Sequence, residues 1–290
     1  MSSAIDHPYQ ELHGGTWLRG NLHNHPRPKD QPDQLAQRYA QFGYGFLALT
    51  EHDHTYLAAD IRAWNHCGLV LIPGNEISAN GQHILHVGAQ RHIEPHADRQ
   101  RVIDEIDQDG GFAVFNHPNI GPDFGHQKLD LMRALQGYAG LEIFNASGLR
   151  GTGTGLATDK WDILLSEGRR LWGFASDDYH QPSDAGRAWL VAYVKERSIE
   201  GVLTALHCGC FYASTGVDIA AIAVDGRHIR VESRNAQRIM AISDGGRGLA
   251  LADATELEVY MPAEATYVRF ECWGAGGRQA WTQPFFAAGV

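Results

Sequence analysis

Cysteine is scarce in this chain: four in 290 residues, at Cys67, Cys208, Cys210 and Cys272. Their spacing matches neither a disulfide framework nor a zinc knuckle, and the close pair Cys208 and Cys210 reads as small buried hydrophobes. Basic charge is also short, with 24 Lys and Arg against 34 Asp and Glu, net −10 with histidine neutral. That balance argues against stable binding of duplex nucleic acid, because neutralising phosphates needs a basic surface. No run of 18 apolar residues occurs, which argues against a helical membrane span. The first ten residues, MSSAIDHPYQ, have neither a basic start nor an apolar stretch. The expectation is therefore no secretory signal and a reducing, cytoplasmic setting. Internal repeats and low-complexity tracts are absent as well.

What is present is the composition of an ordered protein, 43% hydrophobic and 20% charged. A chain of this length buries about 75% of its unfolded surface and needs no covalent or metal staple to fold. At about 150 residues per domain it has room for one large domain and an addition. The unusual number is 16 histidines. Histidine is the commonest metal ligand and the usual acid–base side chain near neutral pH.

Apolar runs of strand length fall at 17–22, 45–50, 69–73, 84–89, 112–115, 141–144 and 171–175. Stretches with helical spacing lie between them, at 33–42, 56–66, 98–109, 128–138 and 158–167, with another at 198–206. Strands alternating with helices predict parallel strands joined by crossovers, and seven runs predict a barrel. Near residue 215 the pattern changes to short strands at 219–224, 228–232, 238–242, 257–260 and 267–273. Turn residues such as Asp225-Gly226 and Asp244-Gly245-Gly246 separate them. The expected organisation is an α/β barrel over 1–214 and a small antiparallel β domain over 215–290.

Side chains that bind metals stand at the ends of most of the predicted barrel strands. The segments are Asn21-Leu22-His23-Asn24-His25, Thr50-Glu51-His52-Asp53-His54, Pro73-Gly74-Asn75-Glu76, Asn116-His117-Pro118, Glu142-Ile143-Phe144-Asn145 and Ser176-Asp177-Asp178-Tyr179-His180. In extended backbone, residues two apart point the same way, so His23 and His25 reach one ion. Barrel enzymes carry their chemistry at this end of the strands, where the loops converge. The same alternation sets Asp178 and His180 on one side and Asp177 on the other, where Asp177 would bond a ligand histidine.

These segments, in order, resemble the motifs of the PHP (polymerase and histidinol phosphatase) family of metal-dependent phosphoesterases. D-L-H-x-H is similar to residues 21–25, with Asn21 for aspartate, and T-D-H-D to residues 50–53, with Glu51 for aspartate. P-G-x-E matches residues 73–76, H-P matches His117-Pro118, and D-x-H matches Asp178-Tyr179-His180. The resemblance spans about residues 17–195. It implies a distorted seven-stranded β/α barrel and two or three divalent ions, Mn, Fe or Zn. The implied ligands are His23, His25, His52, Glu76, His83, His117, Asp178 and His180, with Glu76 bridging two ions. Asp30 is a further candidate, because the family places a ligand shortly after its first motif. For the ligand near residue 83 the choice lies between His83 and His86, and His83 is preferred.

The chemistry implied is hydrolysis of phosphate esters by water activated between metal ions. His52, Asp53 or His180 would supply a proton to the leaving oxygen, and Arg150 and Arg187 would grip the phosphate. A small phosphorylated molecule or nucleotide is the expected substrate, with no membrane partner. Two other readings compete: a nuclease acting on short oligonucleotides, and a metal-binding module without catalysis.

Overall fold

Short, apolar, strand-forming runs decide the architecture of residues 5–26 and 32–288, which the computed structural model describes. Phe46–Leu49, Ile84–Val87 and Phe112–Phe115 are buried at every position, as strands covered on both faces must be. All seven runs predicted for the barrel form strands. Thr16–Asn21 pairs parallel with Phe46–Leu49, which pairs parallel with Val70–Ile77. Parallel pairing also joins Phe112–Phe115, Gly140–Asn145 and Trp172–Ser176.

The expectation of parallel strands throughout fails at one place. Ile84–Val87 runs antiparallel to both Val70–Ile77 and Phe112–Phe115. The cause is the shortness of the connection at 78–83, since a parallel crossover needs a dozen or more residues. The chain can only turn back.

The helices fill the remaining connections. Arg99–Gln108 is capped by Asp98, whose carboxylate accepts the Gln100 and Arg101 N–H groups, and it buries Val102, Ile103 and Ile106. Ile199–His207 starts at Ser198 in the same manner. The helix expected over 56–66 shrinks to Ala58–Ile61. Local side chains compete with it: His66 bonds the Ile61 carbonyl, and Asn65 accepts the Cys67 N–H at a left-handed turn. Among the described residues no helix is long and apolar enough to cross a membrane.

Beside the first strand the sheet continues into the C-terminal part. Trp189–Val194 pairs antiparallel with Thr16–Asn21 and with Phe211–Ser214, which pairs with Gln279–Thr282 and so leads to Tyr267–Gly274. Ala236–Ser243 and Arg247–Ala252 extend this region, while Ile219–Asp225, His228–Ser233 and Glu256–Tyr260 form a separate antiparallel sheet. Tyr267, Trp281 and Phe286 are buried in the same apolar core as the first strands. A buried ion pair joins the two parts. Arg269 donates through Nε and Nη2 to the two oxygens of Asp162 at 2.6 and 2.7 Å, and through Nη1 to Glu271 at 2.8 Å.

At the other end of the path, no ladder among the described residues joins Trp172–Ser176 to Thr16–Asn21. The chain segments beyond their ends meet instead. Tyr179 N–H donates to the His23 carbonyl at 3.3 Å, and His25 N–H donates to the Tyr179 carbonyl at 3.0 Å.

Candidate metal centre

Because strands of both directions lie side by side, the start of Ile84–Val87 sits with the ends of its neighbours. Ile84 pairs with Ile77 on one side and Phe115 on the other. His83, which precedes its strand, is thereby delivered to the same end as Glu76 and His117, which close theirs. Left-handed backbone at His117 (φ 30°) and Asp178 (φ 50°) turns the chain sharply just past two strand ends. Such conformations cost about 1–3 kcal/mol in residues other than glycine and gather at functional sites.

Glu76 is the hub. Its carboxylate is fully buried, and five imidazoles surround it: His52 at 2.6 Å, His83 at 2.9 Å, His23 at 3.3 Å, and His25 and His117 at 3.5 Å. Asp178 forms a second anionic point, 3.1 Å from His25, 3.3 Å from His180 and 3.4 Å from His23. Several trios place their donor atoms within 4.8 Å of one another, among them His23, His25 and Asp178, and His25, His52 and His180. The open side is lined by His52, His180 and His83, whose side chains are 34%, 30% and 27% exposed.

The electrostatics are those of groups forced together. Burial pushes the Glu76 carboxyl up, but the charge of His23 and hydrogen bonds from His117, His23 and His52 more than offset it and hold it well below the carboxylate range. Asp178 is held low against burial by His23, His25 and His117. Burial lowers His23, yet Asp178, Glu142 and Glu76 outweigh it and hold that imidazole well above its ordinary value. His117 Nδ1 is buried with no hydrogen-bond partner among the described residues, and Glu76 Oε2 and His23 Nε2 meet only other members of the cluster. Buried polar atoms left unpaired are costly, and a mixed imidazole and carboxylate set with free lone pairs suits divalent transition metals. The residues present fit such ions.

Of the side chains singled out in the sequence, His23, His25, His52, Glu76, His83, His117, Asp178 and His180 come together here. Asp30 lies outside the described residues. His86 points away and meets Asp109 at 3.1 Å. Asp53 is not brought in, because its carboxylate accepts the N–H groups of Ser78 and Ala79 and closes the turn after Glu76. Asp177 bonds no histidine. It accepts the Tyr39 hydroxyl and the N–H groups of Gly186, Arg187 and Ala188, fixing that loop, although burial pushes its carboxyl up to about 6. Asp178 faces the cluster as expected, but through its left-handed turn and not through extended backbone. Arg187 is exposed, with Nε on the Ser183 carbonyl. Arg150 pairs with Asp184, which accepts the N–H groups of His180 and Gln181.

Glu142, to which its strand-end position alone assigns no role, supports two of these histidines. Its Oε1 lies 2.8 Å from His23 Nδ1 and accepts the Ser176 hydroxyl, while Oε2 accepts the His117 N–H at 2.7 Å and the Asn145 amide at 2.8 Å. A carboxylate on the far nitrogen of a ligand histidine fixes its tautomer and raises its basicity. Asn21, standing where the PHP motif has aspartate, does something else: its Oδ1 accepts the His23 backbone N–H and its Nδ2 donates to the Ala188 carbonyl. Glu142→Gln should fold normally and bind divalent metal about 10–100-fold more weakly. Metal retained after dialysis against graded chelator measures this, and unchanged retention would refute the role.

No protein-family model matches the chain, and no curated protein matches it by sequence. Among solved structures it is similar to a two-domain protein from Bacteroides vulgatus ATCC 8482 that contains a predicted PHP-like metal-dependent phosphoesterase. The TM-score is 0.55 at 17% identity, over 100% of this chain and 92% of that one. The chain has a PHP-type fold. Weaker likenesses are to PsfC from Pseudomonas syringae PB-5123 (TM-score 0.43, 14% identity, 61% of this chain and 82% of that chain) and to the lesion-specific endonuclease PfuEndoQ from Pyrococcus furiosus (0.44, 14%, 66% and 56%). The PHP-type likeness is one of fold, so the chemistry rests on the side chains themselves.

Proposed function

We propose that this protein is a metal-dependent hydrolase of phosphate esters carried by small molecules or nucleotides. The observation that supports it best is Glu76, a buried carboxylate with imidazoles of five separate chain positions within 3.5 Å. On this reading two or three divalent ions (Mn, Fe or Zn) are held by His23, His25, His52, Glu76, His83, His117, Asp178 and His180, with Asp30 assigned by its motif alone. The strands from Thr16–Asn21 to Trp172–Ser176 act as a distorted seven-stranded barrel within 1–214, and residues 215–290 act as its β appendage.

Bound ions would polarise a phosphoryl oxygen and lower the pKa of water at the site. The chain's own residues do the rest. His52 and His180 sit on the open side, where whichever of the two is not holding an ion can keep a proton for the leaving oxygen. Arg150, half exposed and anchored by Asp184 beside His180, presents its remaining N–H groups to a phosphate. Arg187 contributes less, being turned onto Ser183.

The test joins metal analysis to a substrate panel of an aryl phosphate, mononucleotides, sugar phosphates and oligonucleotides. At least two ions per chain, affinity for them rising with pH as protons leave His23, His25 and His117, and salt-insensitive turnover of small esters are expected. Loss of activity with modest salt and preference for long strands would favour a nuclease. Tight metal binding without turnover of any ester would leave a binding module.

A further inference from the structure

His126 stands against the cluster and outside every motif. Its ring centroid lies 4.4 Å from that of His117 and 4.6 Å from that of His83, almost perpendicular to the latter at 86°. The three rings bring nitrogen atoms within 4.8 Å of one another, which by distance alone resembles one more metal site. The hydrogen bonding says otherwise. The backbone N–H of His83 donates to His126 Nε2 at 3.2 Å. A backbone amide can only donate, so Nε2 presents its lone pair there and the neutral ring carries its proton on Nδ1. One nitrogen is engaged and the other is protonated, so neither is free to ligate.

The ring is also held in place. His126 N–H donates to the Ile120 carbonyl, Gln127 N–H to the Pro118 carbonyl, and the Gln127 amide to the His83 carbonyl. Beneath the loop, the buried Lys160 ammonium donates to the carbonyls of Pro118, Phe124 and Gln127 at 2.8, 2.7 and 2.6 Å. The result is a neutral N–H donor, fixed from two sides, next to the partly exposed His83.

We propose that His126 is a substrate-binding residue whose Nδ1–H donates to an anionic phosphoryl oxygen, and that it is not a metal ligand. This rests on the phosphoester reading above. A fixed neutral donor adds a directional contact to the phosphate without adding charge among the ions. It also explains why a histidine this close to the cluster belongs to none of the motif positions that hold metal.

The experiment measures inorganic phosphate binding by calorimetry on the manganese-loaded protein, with bound manganese counted in the same samples. His126→Ala should keep the wild-type metal content and bind phosphate about 10–100-fold more weakly, as for loss of a hydrogen bond to a charged group. His126→Asn places an amide donor near the position of Nδ1 and should recover most of that loss, which a purely structural role would not predict. Loss of manganese in both variants would make His126 a ligand and overturn the proposal. Full metal with unchanged phosphate affinity in His126→Ala would overturn it too. If the loaded wild-type protein binds no phosphate, the phosphoester reading itself fails, a result separate from either outcome at residue 126.

Discussion

Glu76→Gln is expected to leave a folded protein that retains little metal and has no measurable activity. A carboxamide offers one oxygen where the carboxylate offers two, and its NH2 group would face imidazole lone pairs. The charge that gathers His23, His25, His52, His83 and His117 would be gone. The Asn116 amide, which donates to Oε1, can still bond the remaining oxygen, and removing a buried charge relieves a desolvation cost. Folding therefore survives while the site does not. The loss in metal affinity should exceed the roughly 10–100-fold typical of outer partners such as Glu142. Elemental analysis with a thermal melt decides it: wild-type metal content in the variant would remove Glu76 from the hub.

Arg269→Met is expected to act in the opposite sense, on stability and not on chemistry. Arg269 is 1% exposed, and its fork spans Asp162 and Glu271. Without the cation two buried carboxylates face each other, with only the Tyr267 hydroxyl still donating to Asp162. Breaking a buried pair from one side costs about 3–5 kcal/mol, which for a chain of this size lowers Tm by roughly 5–8 °C. Adding Asp162→Asn to the same protein should return part of the loss, because one stranded charge goes with it. A single variant that melts within a degree or two of wild type would show that the pair is dispensable. Metal content should be untouched in either case.

Most of the candidate site could be read from the sequence because each motif is local: a strand end, then a turn, then a histidine or carboxylate. What could not be read depends on contacts between distant positions. Glu142 meets His23 across 119 residues and His126 meets His83 across 43, and no spacing rule reaches so far. Strand direction was hidden for a related reason. The apolar run at 84–89 looks the same in either direction, and only the shortness of 78–83 forces the reversal. The strand–helix alternation does not signal Trp189–Val194 and Phe211–Ser214, which lie outside it on either side of the helix Ile199–His207. Asp53 and Asp177 have the residue type a metal site uses, but backbone N–H groups claimed them first.

The reversed strand also divides the site by how its parts are brought together. Glu76 and His83 are seven positions apart on the arms of one tight hairpin, whereas His25 and Asp178 meet across 153 positions. The first half is a local product of the chain, and the second exists only once the two segments flanking Tyr179 and His25 have docked. On the proposed reading, an ion held by His25 and Asp178 works as a buckle. It reinforces a seam that, among the described residues, backbone and side-chain hydrogen bonds join without a strand ladder. Occupancy of that ion and closure of the seam then form one linked equilibrium.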